Sequence, residues 1–105
     1  VILFSEKELA LTKQRVRVPG GEIFLVEVPC PSEGWSPEER TRNIGKIGDD
    51  GTPIWRIKPP RPFDDDDSFM DLRVEDGLVV AGRWRGDVVC INASNGLAEK
   101  IRWEK

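Results

Sequence analysis

Residues 68–104 read SFMDLRVEDGLVVAGRWRGDVVCINASNGLAEKIRWE, four runs rich in Val, Ile, Leu and Trp separated by glycine-bearing turns. The runs are SFMDLRV, then LVVAGRW after Glu75-Asp76-Gly77, then DVVCINA after Arg85-Gly86, then LAEKIRWE after Ser94-Asn95-Gly96. Short β-branched and aromatic runs joined by tight glycine turns pair with their neighbours, so this half of the chain predicts an antiparallel meander.

The same pattern extends upstream. Val16 to Val28 holds two β-rich arms around Pro19-Gly20-Gly21, a hairpin. On its second arm Glu22, Phe24, Val26 and Val28 point one way and Ile23, Leu25 and Glu27 the other. Both faces carry apolar residues, which predicts a strand that is central or covered on both sides. A further hairpin is expected in NIGKIGDDGTPIWRIKPP around Asp50-Gly51. In VILFSEKELALTK, Ser5 with Glu8 fits a capping box and Phe4 with Leu9 a staple, so a short helix and a plain turn are both open. Residues 28–43 read as a long surface connection with one helical turn at Ser36-Pro37-Glu38-Glu39, and residues 59–67 as a solvated link.

The expected architecture is therefore one small all-β domain over residues 1–105, an antiparallel meander of about seven to nine strands in one strongly twisted sheet or two packed sheets. The expected core is Val16, Val18, Phe24, Val26, Ile47, Ile54, Ile57, Phe69, Leu72, Val80, Val89, Ile91 and Ile101.

Composition narrows the chemistry. The 105 residues carry no histidine, two cysteines, 16 basic and 19 acidic side chains and a formal net charge of -3. Without histidine, Ser-His-Asp and Cys-His arrangements cannot be built, so neither Cys30 nor Cys90 has the partner a nucleophile needs. Both are expected as free thiols. A closed zinc site would need two carboxylates beside the cysteines, an uncommon ligand set. No cofactor and no catalytic residue is expected. No apolar run approaches the roughly 20 residues of a membrane-spanning helix, and the acidic balance does not favour nucleic acid. A cytoplasmic location is expected.

Two segments echo each other. Lys46-Ile47-Gly48-Asp49-Asp50-Gly51 leads to Ile54-Trp55, and Cys90-Ile91-Asn92-Ala93-Ser94-Asn95-Gly96 leads to Ile101-Arg102-Trp103. LVVAGRWRGDVVCINASNGLAEKIRW resembles one blade of the quinoprotein-type (PQQ-like) β-propeller, and RNIGKIGDDGTPIWRI the closing half of another. The resemblance covers roughly residues 43–103 and implies blade-like strand order. It carries over neither quinone cofactor nor catalytic residue, because about four blades of some 40 residues each exceed this chain. Gly51 to Pro60 also resembles small bacterial proteins built around Gly-x-x-x-Trp-x-Ile-x-Pro-Pro.

Three features are candidate contact sites. Asp64, Asp65, Asp66 and Asp67 read first as a solvated link, then as a surface for a basic partner; they lack the alternate spacing and distant glutamate of a calcium loop. Trp84 and Trp103 continue apolar rows and are expected at the core or its edge, whereas Trp35, in a Gly-Trp-Ser-Pro loop, is expected exposed or plugging a sheet end. Arg83 and Arg85 share a face, with Arg73 and Arg102 on neighbouring strands. They form either an anion-reading stripe or a solvated face of cross-strand ion pairs to Asp71, Asp87 or Glu99.

The function expected from these features is a non-catalytic protein-binding module, in one form an acidic inhibitor or immunity protein covering a basic toxin. The alternative is small-ligand or nucleic-acid binding through the arginine stripe and an exposed tryptophan. A homodimer through edge strands is a further expectation.

Overall fold

The computed structural model describes residues 3–58 and 67–104. Asp64, Asp65 and Asp66 lie outside the described residues, as does most of the link that contains them.

The chain begins with a short helix, α1 (Glu6–Leu9), which settles the choice left open by the sequence. Its capping box is complete: the Ser5 hydroxyl accepts from the Glu8 N–H, and the Glu8 carboxylate accepts from the Ser5 N–H at 3.0 Å. β1 (Thr12–Val18) and β2 (Gly21–Val26) form the first hairpin. The connection after β2 holds α2 (Pro37–Thr41), again with a capping box, from Ser36 and Glu39, and with proline at its start. β3 (Ile44–Gly48) and β4 (Pro53–Arg56) follow and complete an antiparallel sheet in the order β1-β2-β3-β4.

The second sheet, β5 (Phe69–Glu75), β6 (Leu78–Arg83), β7 (Asp87–Ile91) and β8 (Ala98–Trp103), is the meander read from the C-terminal half. Its first turn is set by Asp76 and Gly77, at φ 50° and 78°. Two consecutive positive φ values are what a two-residue I′ hairpin requires, and Asp-Gly supplies them at low cost.

The two sheets pack face to face. Ile23, Leu25, Ile44, Trp55 and Ile57 from the first meet Phe69, Leu72, Val79, Ala81, Val89 and Ile91 from the second. They are also joined along their edges. Lys58, just past β4, forms a parallel bridge with Leu97. At the opposite edge the Gln14 side chain accepts from the Leu72 N–H at 2.9 Å. Asn43, fully buried, donates to the carbonyls of Val26 and Phe69, both at 2.8 Å, and accepts from the Phe69 N–H at 2.9 Å.

β2 is covered on both faces, as its alternation predicts. Its outer residues Phe24 and Val26 pack with Phe4 and Trp35, a fully buried phenylalanine contributing roughly 2–3 kcal/mol. Residues 28–43 are therefore not merely a surface connection: Trp35, Thr41 and Asn43 are buried within them. Phe4 lies on Gly45, where any side chain would overlap its ring, and its ring meets Phe24 edge-on with centroids 4.9 Å apart.

This outer layer is locked by Arg56. Its guanidinium donates to both Glu8 oxygens, at 2.6 and 3.3 Å, and to the carbonyls of Leu3, Glu38 and Arg42. It also lies 4.2 Å from the Phe4 ring centroid. The pair is almost completely buried, and its bidentate geometry with every donor engaged is what makes a buried ion pair tolerable.

Two members of the expected core are corrected. Ile54 and Ile101 are each 47% exposed. Both are the extra residue of a β-bulge: Lys46 and Ile47 pair with Trp55 and Pro53, skipping Ile54, and Val88 and Val89 pair with Arg102 and Lys100, skipping Ile101. The same irregularity skips Lys13 in β1 and Met70 in β5. Every edge strand of both sheets thus carries one bulge, placed on the edge strand itself. Bulges of this kind interrupt the regular ladder that another strand would extend.

Candidate functional site

The hairpin of β6 and β7 ends in Trp84-Arg85-Gly86, and this corner gathers Asp67, Arg83, Trp84, Arg85 and Trp103 from the side chains singled out by the sequence. It is built on an ion pair. Asp67 is 2% exposed; its carbonyl accepts from Arg83 Nε and Nη2 at 3.0 and 2.9 Å, and its carboxylate lies 3.4 Å from Arg83 Nε. The same carboxylate accepts from the Arg85 backbone N–H at 3.0 Å, and the Ser68 carbonyl from the Trp84 N–H at 2.9 Å. The Arg83 guanidinium sits 5.0 Å from the Phe69 ring centroid.

Two expectations are corrected here. Asp67 is not part of a solvated link, because Arg83, on the strand paired with β5, draws it into the packed layer. Arg83 is not on an exposed arginine stripe, for the same reason. Arg85 is exposed, in the turn. Arg73 and Arg102, on the outer face of the second sheet, are held by Asp71, Glu75 and Glu104: Arg73 Nε is 2.6 Å from Glu75, Arg102 Nη2 is 2.7 Å from Glu75, and Asp71–Arg73 and Arg102–Glu104 are in contact. Three carboxylates face two guanidiniums, so this face is a network of ion pairs. Arg102 and then Arg73, hydrogen-bonded to Glu75, hold its carboxyl at about 2, far below the usual carboxylate value.

The tryptophans are also rearranged. Trp84 is 65% exposed and Trp103 58%. Trp84 falls one residue beyond the end of β6, in the turn, so the apolar row that it continues in sequence has already stopped. The bulge at Ile101 breaks the alternation of β8, setting Trp103 opposite Asp87, and its indole N–H donates to the Arg85 carbonyl at 2.9 Å. Trp35, one of the residues expected to contact a partner, is not exposed: it is buried against Phe4, Phe24 and Val26 over the outer face of β2, with the Lys7 ammonium 4.9 Å from its ring. Trp55 is buried between the sheets, its N–H donating to the Ala93 carbonyl at 3.0 Å.

Beside Trp84 lies a groove of about 330 Å³, lined in part by Val28, Pro29, Cys30, Arg40, Met70 and Trp84. The bulge in β5 turns Met70 outward beside it, leaving that side chain 42% exposed. Sequence reading missed Met70 because a period of two has no place for an inserted residue. A larger depression of about 520 Å³, at Leu78, Cys90, Leu97 and Glu99, holds neither tryptophan nor arginine. Cys30 and Cys90 are free thiols. Among the described residues no group of three or more His, Cys, Asp or Glu side chains is placed to hold a metal ion, and no helix is long and apolar enough to cross a membrane.

No curated protein and no solved structure matches this sequence. Residues 2–103 match the family model described as "Domain of unknown function (DUF7957)". With nearly the whole length matched, the chain belongs to that family.

Proposed function

We propose that this chain is a non-catalytic protein-binding module whose contact surface is the corner formed by Trp84, Met70 and the adjoining groove, and whose partner is a basic protein. The observation that carries the reading is Trp84, 65% exposed on a turn fixed from below by the Asp67–Arg83 pair. Tryptophan, methionine and arginine are the side chains enriched where protein interfaces concentrate their binding energy. A large rigid aromatic held on an anchored turn loses little freedom on binding.

Charge supplies the choice of partner. The chain carries net -3, and in sequence Asp64, Asp65 and Asp66 immediately precede Asp67, whose carboxylate accepts from the Arg85 N–H of the same turn. Complementary charge of this kind speeds encounter and selects the partner, while the apolar centre holds it. An inhibitor or immunity protein acting on a basic toxin is the specific form that fits an acidic chain without histidine.

The test is cross-linked capture from cells of the source organism, with partners identified by mass spectrometry. Wild type is compared with Trp84→Ser and with a variant in which Asp64, Asp65 and Asp66 are asparagine. The expected result is one basic protein, held by wild type, reduced at least about tenfold by Trp84→Ser and weakened by the neutralised run and by added salt. If both variants capture the same proteins as wild type in the same amounts, the reading is wrong.

A further inference from the structure

The depression of about 520 Å³ lies on the second sheet, at the end of β6 and β7 away from Trp84. Strand register shows how it is built. Val79, Ile91 and Ala98 pair in one row and face the core, so by alternation the rows on either side of them face outward. One of these is Val80, Cys90 and Glu99. The other runs from Leu78 past Asn92, whose N–H donates to the Leu97 carbonyl at 2.8 Å, to Leu97. Leu78 and Leu97 thus stand two strand spacings apart, roughly 10 Å, and wall a hollow that the half-buried Cys90 also lines. Both leucines are open to water, 53% and 51% exposed.

The charge among the lining residues is that of Glu99, which is exposed and forms no hydrogen bond or ion pair among the described residues. The cations of the neighbouring positions are committed elsewhere: Arg73 and Arg102 to Glu75, and Lys100 to Asp87 at 3.0 Å. Lys58, bridged to Leu97, is exposed and stands outside the lining. An accessible aliphatic hollow therefore carries an unanswered carboxylate at its rim.

We infer that this hollow binds a small alkylammonium ion, its chain between Leu78 and Leu97 over Cys90 and its ammonium on the Glu99 carboxylate. The walls are leucine, valine and isoleucine, which suit a flexible aliphatic chain, and each methylene withdrawn from water adds to binding. The volume falls within the roughly 300–1,000 Å³ of small-molecule sites. One unpaired carboxylate matches one positive charge. Because Glu99 is solvent-exposed, the ion pair is modest and sets the preference among ligands, while the apolar contact supplies most of the affinity. This site is separate from the Trp84 corner and does not depend on it.

The two free thiols provide the test, since Cys90 lines this hollow and Cys30 the groove beside Trp84. The rate at which iodoacetamide alkylates each thiol of the whole chain is followed by mass spectrometry at neutral pH, against rising hexylammonium, hexanol or hexanoate. Hexylammonium is expected to slow Cys90 saturably and leave Cys30 unchanged, at a concentration about threefold to fivefold below that needed of hexanol; hexanoate is expected to be the weakest. Glu99→Gln is expected to abolish the preference for the cation and Lys58→Gln to keep it, with thermal melts confirming that both variants fold. Equal protection by the three ligands, strongest protection by hexanoate, equal slowing of both cysteines, or a preference that survives Glu99→Gln would each overturn the assignment.

Discussion

The Asn43 side chain closes a two-way hydrogen-bond pair on the backbone of Phe69, donating to its carbonyl and accepting from its N–H. The remaining amide hydrogen goes to the Val26 carbonyl, so one fully buried side chain fastens the first sheet to the edge of the second. Substitution by alanine would leave these backbone groups buried without partners. Asn43→Ala is expected to lower stability by about 3 kcal/mol, measured by urea unfolding, with Asn43→Asp at least as damaging at neutral pH because a carboxylate cannot donate.

Arg56 ties β4 to both helices through Glu8 and three carbonyls. Removing Glu8 alone would strand the guanidinium in the outer layer, so Glu8→Leu is expected to cost about 3–5 kcal/mol. A double-mutant cycle with Arg56→Met, read by chemical denaturation, is expected to show strong coupling; additive effects would mean that the pair contributes no joint stability.

Gly45 is required by the ring above it. Gly45→Ala forces Phe4 off the sheet and is expected to destabilise by about 1–3 kcal/mol. Phe4→Leu should recover part of that loss in the double variant, measured by thermal unfolding, because the branched side chain can yield where the flat ring cannot.

The Asp71–Arg73–Glu75–Arg102–Glu104 network has a pH signature. Within it the Glu75 carboxyl is lowered to about 2 from the ordinary 4.5 by its hydrogen bonds to Arg102 and then Arg73, so the contribution of Glu75 is complete above about pH 4.5 and is lost as pH falls through about 2. Stability is therefore expected to decline across that window, with a shallower slope in Glu75→Gln and in high salt, since these groups are solvent-accessible. Carboxyl NMR titration of Glu75 checks the value directly.

All four edge strands carry bulges, at Lys13, Ile54, Met70 and Ile101. This weighs against self-association through an edge, and light scattering is expected to find a monomer. Deleting Ile101 keeps Arg102 opposite Val88 but straightens β8, so that variant is expected to self-associate through the regular edge it acquires.

Much of the architecture was legible because it is local. Asp76-Gly77, Asp50-Gly51 and Pro19-Gly20-Gly21 are turn chemistry within a few residues, and the Ser5/Glu8 and Ser36/Glu39 boxes lie within single helical turns. The alternation of Ile23 and Leu25 against Phe24 and Val26 announces a strand covered on both faces. These elements depend on neighbours in sequence, where steric and hydrogen-bond preferences act.

What only the tertiary structure decided depends on pairing across the chain. Asp67 reads as the end of an acidic link until Arg83, 16 residues on, draws it into the packed layer. Trp84, Met70 and Ile101 read as strand residues of a regular alternation, but two bulges and the early end of β6 put them in solvent. A period of two fixes which face a residue occupies only while the ladder is unbroken. Where the ladder breaks is set by the twist and packing of whole sheets, so the sequence by itself determined the strands and turns, and the folded assembly determined which side chains they present.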